Sequence, residues 1–358
     1  MERSLKYLSS PYLQELPFPL LKKTRVDRFL NAINIKEKDI TVLCDILMQR
    51  TYLIDKSAMK KLASNKFDSQ EVFIAQHNYK GLEIEINTHC NFKCKFCPVS
   101  HSPRQINFMS DSIYELAINR AVDYGINEIS LNHYSEPTLN FSLSRRITQA
   151  AANGLTVTLF SNGSNLSASL VNKITSVSTH LQVVINLPEA TPTAHQETTQ
   201  SKTFSTIISN IKYAQNHLPL KIVVNNKDSQ VVKQLSSMFS NVEVQHWETD
   251  DRAGEIYLPQ LTKARKHKHL LNGCPLSIRY LNVGVEGKVF QCAQDFKKKY
   301  VLGDICKNSL VEIINSEKSK QLRGWIFGIN KPPEDFICTS CRWTQARRND
   351  YTIGAELN

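Results

Sequence analysis

The chain has 358 residues, 41% of them hydrophobic and 22% charged, the composition of a globular protein large enough for two or three structural units. It has no apolar run near the roughly 20 residues that cross a bilayer, and its start lacks the apolar stretch and small-residue cleavage site of a signal peptide, so a cytoplasmic protein without membrane attachment is expected. The net charge of +11 hints at an acidic partner, but the densest basic runs, Lys263–His269 and Lys297–Lys299, lack the interleaved aromatics of a nucleic-acid surface and read as solvated loops.

In chain order, residues 1–80 read as a mostly helical extension, clearest over 39–50 (DITVLCDILMQR), with no evident chemistry. From 81 to about 255, short β-rich runs alternate with amphipathic helical stretches. The strand candidates are 81–87, 128–132, 156–162, 181–187, 220–226 and 242–247; the clearest helices are 112–125, 142–154 and 204–217. Six strands alternating with helices predict a parallel sheet with helices outside, curled by right-handed crossovers into a full or partial barrel. Ligands of such barrels sit at the C-terminal strand ends. From 256 to 358 the alternation stops and a shorter, cysteine-bearing region follows.

The chain has nine cysteines, which are expected as thiols and metal ligands instead of disulfides. Cys90, Cys94 and Cys97 lie at C-x3-C-x2-C spacing on the loop after the first strand (NTHCNFKCKFCPVSHSP). Three thiolates on one loop can bind three irons of a [4Fe–4S] cubane and leave the fourth open to a small molecule. The alternatives are zinc, with His89 or His101 at hand, or three buried thiols. Four further cysteines, Cys274, Cys292, Cys338 and Cys341, suit a fully ligated [4Fe–4S] cluster or tetrahedral zinc, and spacing alone leaves both open. Cys44 reads as a core residue on a helical face and Cys306 as a thiol outside the ligand set.

The first cysteine loop resembles the signature of the radical S-adenosylmethionine (AdoMet) superfamily, C-x3-C-x-Φ-C after the first strand of a partial (βα)6 barrel. The resemblance places Phe96 near the adenine. It gives Glu136, in Tyr134-Ser135-Glu136-Pro137, and with it Ser135, a contact to the methionyl amine, although the family's two glycines are replaced here. Ser161-Asn162-Gly163 matches a turn whose side chains face the ribose or carboxylate. Asn186, where the family often has Ser-hydrophobic-Asp, is a further AdoMet ligand by position. The implied activity is reductive cleavage of AdoMet to a 5′-deoxyadenosyl radical that abstracts hydrogen from substrate.

The C-terminal pattern, Cys274 to Gly287 to Cys292 followed by Cys338-x2-Cys341, resembles the SPASM and Twitch domains. With no cysteine after Cys341 it is closer to the Twitch type, with one auxiliary [4Fe–4S] cluster and zinc as the alternative. Three units are therefore expected: a helical extension (1–80), the barrel (81–255) and the auxiliary-cluster domain (256–358). The resemblance implies a small-molecule substrate such as a sugar or aminocyclitol, or a peptide, and a reductant such as a flavodoxin or ferredoxin. Asp295, three residues beyond Cys292, is the candidate for proton chemistry, a structural carboxylate being its plainer reading. Two rival readings are a zinc-bearing RNA-binding or RNA-modifying protein and a two-cluster electron carrier; the Glu136-Pro137 and Ser161-Asn162-Gly163 matches argue against the carrier.

Overall fold

The computed structural model describes residues 79–225, 228–239, 241–247, 251–256, 271, 274, 276–326 and 330–341, together with three N-terminal strands. Those strands are β1 (Leu13–Pro17), β2 (Thr41–Asp45) and β3 (Arg50–Ile54), an antiparallel sheet in the order β1-β3-β2. They correct the helical reading of 39–50. β-Branched Thr41 and Val42, and the run Arg50-Thr51-Tyr52-Leu53-Ile54, suit extended backbone, and pairing of β3 with both neighbours overrides local helical periodicity. Cys44 thus lies on β2, not on a helix. The basic run 263–269 falls outside the described residues.

The chain divides into two compact units, residues 1–78 with 264–279 and 314–358, and residues 79–263 with 280–313. The second contains the expected alternation. Strands β4 (Gly81–Ile84), β5 (Glu128–Leu131), β6 (Thr156–Ser161), β7 (Leu181–Asn186), β8 (Leu220–Val224) and β9 (Glu243–His246) lie side by side in sequence order, all neighbours parallel. Between them run α1 (Pro98–His101), α2 (Asp111–Tyr124), α3 (Leu143–Ala152), α4 (Ala168–Ile174), α5 (Pro192–Thr199), α6 (Phe204–Ala214) and α7 (Ser229–Met238). Leu82, Ile84, Ile129, Leu131, Val157, Leu159, Val183, Ile185, Ile222 and Val224 form one apolar face with the helices' Ala117, Ile118, Ile147, Ile207 and Ile211, all fully or nearly fully buried. Each such branched side chain contributes on the order of 1.5–3 kcal/mol of burial, so this face fixes the register of every strand.

The opposite face is mixed, with Phe160, Val184 and Val223 beside polar residues. Glu83, Glu85, Ser130, Gln182 and Asn186 occupy the alternate positions of the same strands. Strand β10 (Tyr280–Val283) adds in parallel to the free edge of β4, and β11 (Lys288–Phe290) and β12 (Val301–Asp304) continue the sheet antiparallel. Gly81 makes room for this addition: a Cβ there would lie 2.3 Å from the Tyr280 ring of the neighbouring strand. In the chain, α8 (Leu276–Arg279) precedes β10, and α9 (Leu310–Asn315) and α10 (Glu317–Ile326) follow β12. No helix among the described residues is long and apolar enough to cross a membrane.

Candidate functional site

The loop after β4 brings Cys90, Cys94 and Cys97 together, each half-buried and free of disulfide bonding. Three neighbours hold its backbone. The Glu136 N–H donates to the His89 carbonyl (2.8 Å), and the Lys93 and Lys95 N–H groups donate to Thr199 and Thr198 at the end of α5 (3.0 Å each). Asn91 exchanges side-chain bonds with Asn162 (2.9 Å) and Ser164 (2.9 Å) on the turn after β6. Beneath the loop, Phe92 packs edge-on against His195, which is itself buried against Phe204.

Burial pushes the Cys90 thiol up to about 12, and Cys94 and Cys97 are also raised, with Cys90 and Cys97 each raising Cys94 further. A cubane takes one thiolate at each of three separate irons, which three cysteines carried on one loop can supply. The Cys90 sulfur also accepts the Phe92 N–H (3.5 Å), the type of contact that tunes a cluster thiolate.

Around the loop stand the residues expected to meet AdoMet. The Ser135 Oγ and Asn186 Oδ1 atoms are buried with no hydrogen-bond partner among the described residues. Orphaned polar atoms of this kind on the loop after β5 and the end of β7 fit a polar ligand. Phe96 is half-buried on the cysteine loop. Asn162 is half-buried; its Oδ1 accepts the Ser164 N–H (2.9 Å) and hydroxyl (2.7 Å), so part of its capacity holds the turn. Gly163, at φ +77°, closes that turn in the left-handed region, with Ile207 and Ile185 within 3.2 and 3.3 Å of where a Cβ would stand.

Glu136 is 1% exposed. Its Oε1 accepts from the Thr138 N–H (3.0 Å), the Thr138 hydroxyl (2.6 Å) and the Ser161 hydroxyl (2.8 Å), and its Oε2 from the Asn162 N–H (2.7 Å). Both oxygens, and the Ser161 hydroxyl with them, are thus engaged in clasping the β5 and β6 turns together.

Sequence reasoning passed over a second group of residues on the inner face. Glu85, fully buried, pairs with Arg104 (2.7 Å) and Lys298 (2.5 Å). Burial would raise its carboxyl, but His133, Lys298 and Arg104 hold it below the usual range. Glu83 lies 4.0 Å from the His133 imidazole; burial pushes Glu83 up to about 7, against the pull of Arg252, and pushes His133 down to about 4. His133 reaches this position from left-handed backbone (φ 88°), uncommon for a residue with a side chain. Alternate glutamates opposite Leu82, Ile84 and Ile86 in GLEIEIN were the available signal. Of 297–299, read as a solvated loop, Lys297 and Lys299 are exposed, Lys297 pairing with Glu255 (2.9 Å), and Lys298 alone turns inward onto Glu85.

Of the C-terminal cysteines, Cys274 and Cys341 are buried and Cys338 is half-buried in the first unit; Cys292, half-buried, belongs to the second. The Cys292 sulfur accepts the Gln294 N–H (3.4 Å), repeating the contact at Cys90. The Cys292 loop is fastened to the barrel by the Tyr134 hydroxyl on the Ala293 carbonyl (2.6 Å) and by Lys298 on Glu85. Asp295 is buried, with its two oxygens accepting the N–H groups of Lys299 (2.9 Å) and Tyr300 (2.7 Å). Burial raises its pKa, and the two bonds hold the carboxylate in the turn after Cys292. Cys306 is exposed after β12, its N–H on Asp304 (2.9 Å).

Comparison with known proteins agrees with this arrangement. Residues 84–226 match the Radical SAM superfamily, and residues 274–342 match SPASM, an iron–sulfur cluster-binding domain. The S-adenosyl-L-methionine-dependent 2-deoxy-scyllo-inosamine dehydrogenase of Niallia circulans is 22% identical over 265 residues, 73% of this chain and 91% of that protein. Among solved structures, Streptococcus suis SuiB bound to precursor peptide SuiA superposes with a TM-score of 0.59 at 14% identity, over 90% of this chain and 81% of SuiB. Native anSMEcpe with bound AdoMet superposes with a TM-score of 0.55 at 14% identity, over 74% of this chain and 87% of its own. The cofactors are accordingly AdoMet and [4Fe–4S] clusters, an auxiliary cluster among them. The chain is thus a radical SAM enzyme, with a radical SAM domain over residues 84–226 and a SPASM iron–sulfur cluster-binding domain over residues 274–342.

Proposed function

We propose that the enzyme oxidises a small polar molecule of the sugar or aminocyclitol class, removing a hydrogen atom and then a proton and an electron. The observation that supports this is the inner face of the sheet, where Glu83, Ser130, Asn186 and Asn282 carry hydrogen-bonding groups on neighbouring strands. Such a wall suits a hydroxyl-rich ligand better than an apolar one. The dehydrogenase from Niallia circulans, similar over most of both chains, acts by name on an aminocyclitol.

When bound, AdoMet on a reduced cluster supplies a hydrogen-atom abstractor, and the auxiliary cluster supplies an electron acceptor. Cys90, Cys94 and Cys97 would hold three irons of the first, and Cys274, Cys292, Cys338 and Cys341 the second. Ser135 and Asn186 would orient AdoMet through their orphaned oxygens, Asn162 would assist from the β6 turn, and Phe96 would cover the adenine. Glu136 and Ser161 act beneath this surface by fixing the two turns that carry it. The packed outer face of the barrel excludes water from the reacting centre. A flavodoxin or ferredoxin is the expected class of reductant.

A second reading, a peptide substrate, is favoured by the N-terminal sheet, whose outer strands β1 and β2 each pair on one side only in the described structure. An extended peptide binds such an edge by strand addition. The likeness to SuiB, solved with its precursor peptide, extends over 90% of this chain.

The test is made on anaerobically reconstituted protein. About eight irons per chain with 5′-deoxyadenosine release under reductant is expected, falling to about four irons without release in the Cys90/Cys94/Cys97→Ala triple variant. Zinc in place of the second four irons would remove electron transfer through the auxiliary site. A product two hydrogens lighter than an added aminocyclitol decides for the first reading; absence of such a product from any cyclitol or sugar, with turnover of a peptide, decides for the second.

A further inference from the structure

Glu83 and Asn282 lie side by side on the inner face of β4 and β10, and His133 follows β5 within 4.0 Å of Glu83. Glu83 is in register with Asn282 across the parallel β4–β10 pair, so both side chains occupy the same face. Asn282 is 2% exposed and its Oδ1 has no hydrogen-bond partner among the described residues. The His133 side chain is 1% exposed, and its Nε2 lies 4.0 Å from the Glu83 carboxylate, likewise without a hydrogen bond. Glu83 itself keeps 19% of its side-chain surface accessible although it lies inside the sheet, so a small ligand can reach it.

The neighbouring charges do not satisfy it. Arg104 and Lys298 both engage Glu85, the next inward residue of the strand. Arg252 acts on Glu83 through space, and its guanidinium stands over the Tyr134 ring, 5.6 Å from the centroid. A buried carboxylate beside two unpaired acceptors is costly unless a cationic donor joins them.

We propose that Glu83, Asn282 and His133 form a subsite for the primary ammonium group of the substrate. An ammonium has three N–H donors, one each for Glu83, Asn282 Oδ1 and His133 Nε2 in its Nδ1–H tautomer, and its charge complements Glu83, which has no lysine or arginine ion pair among the described residues. A hydroxyl offers a single donor and no charge, so the subsite favours amines over alcohols of the same shape. The ammonium belongs either to an aminocyclitol or to a lysine side chain of a peptide. The inference rests on the radical-enzyme reading for its substrate, but the subsite is testable without turnover.

The experiment uses the anaerobic holoprotein at about pH 6, where burial leaves much of Glu83 protonated. Infrared difference spectra follow the protonated-carboxyl band as methylammonium, or tetramethylammonium at the same concentration, is added. Methylammonium is expected to bleach the band in the native protein and not in Glu83→Gln, and tetramethylammonium, which has charge but no N–H, is expected to leave it. Asn282→Ala is expected to raise the methylammonium concentration needed by about tenfold, the worth of one lost charge-assisted bond. No bleaching by methylammonium, equal bleaching by tetramethylammonium, or the same change in Glu83→Gln overturns the proposal. 2-Deoxy-scyllo-inosamine and Nα-acetyl-lysine amide are then compared; the one acting at least tenfold below methylammonium identifies the source. Bleaching by methylammonium with no advantage for either larger amine upholds the subsite and counts against both substrate readings.

Discussion

Glu136 offers a direct test of whether the turns after β5 and β6 are held as one piece. Its Oε1 accepts three donors and its Oε2 the Asn162 N–H, all inside a side chain that is 1% exposed. In Glu136→Gln the amide oxygen will take the side with three donors, and the amide nitrogen will then face the Asn162 N–H, donor against donor. One charge-assisted bond is lost, worth about 1.5–3 kcal/mol, and one buried N–H is left unsatisfied, at a further 1–3 kcal/mol or so. Allowing for relaxation of the turn, the expected loss is about 3 kcal/mol. Urea denaturation of the anaerobic holoprotein measures it, alongside AdoMet affinity by equilibrium dialysis, which should weaken because Asn162 moves. Ser161→Ala alone should cost about 1 kcal/mol and a similar amount in the Glu136→Gln background, where the amide oxygen keeps the Ser161 bond. A loss below about 0.5 kcal/mol for Glu136→Gln, or a Ser161→Ala cost that vanishes in the Gln background, would refute the clasp.

Glu83 predicts a pH dependence of stability. Its folded pKa of about 7 stands above the ordinary 4.5, so the native state binds more protons between these values and stability falls as pH rises through that window. The interval corresponds to about 3 kcal/mol, and Glu83→Gln should abolish that part of the slope in denaturation curves taken from pH 4.5 to 8; parallel curves would contradict it. Glu85→Gln leaves Arg104 and Lys298 without their shared carboxylate and should cost about 2–4 kcal/mol, softened because both cations keep some contact with water (17% and 27% exposed). Gly163→Ala must hold φ near +77° and push a methyl against Ile207 and Ile185, so a loss of about 2 kcal/mol is expected in the same denaturation assay.

The elements most legible in the sequence were those encoded locally. All six barrel strands were found because each is a short Val/Ile/Leu-rich run between helices whose apolar residues recur at helical spacing, and the cysteine loop announces itself by spacing. What stayed hidden depends on distant partners. Glu85 looked like ordinary strand alternation because its cations come from 19 and 213 residues away. The strands at 41–45 and 50–54 were read as helix because their extended form depends on pairing with each other and with β1. Asp295 was singled out by its distance from Cys292, whereas its two hydrogen bonds lie four and five residues downstream, beyond what spacing reveals.

Glu85 joins Arg104, shortly after the first cysteine loop, to Lys298, shortly after Cys292. Neither cation can be exchanged for a neutral residue without leaving the other to balance a fully buried carboxylate by itself. Across relatives of this enzyme, the three positions should therefore change together or not at all. A chain that gives up the carboxylate should show apolar residues at both of the other places.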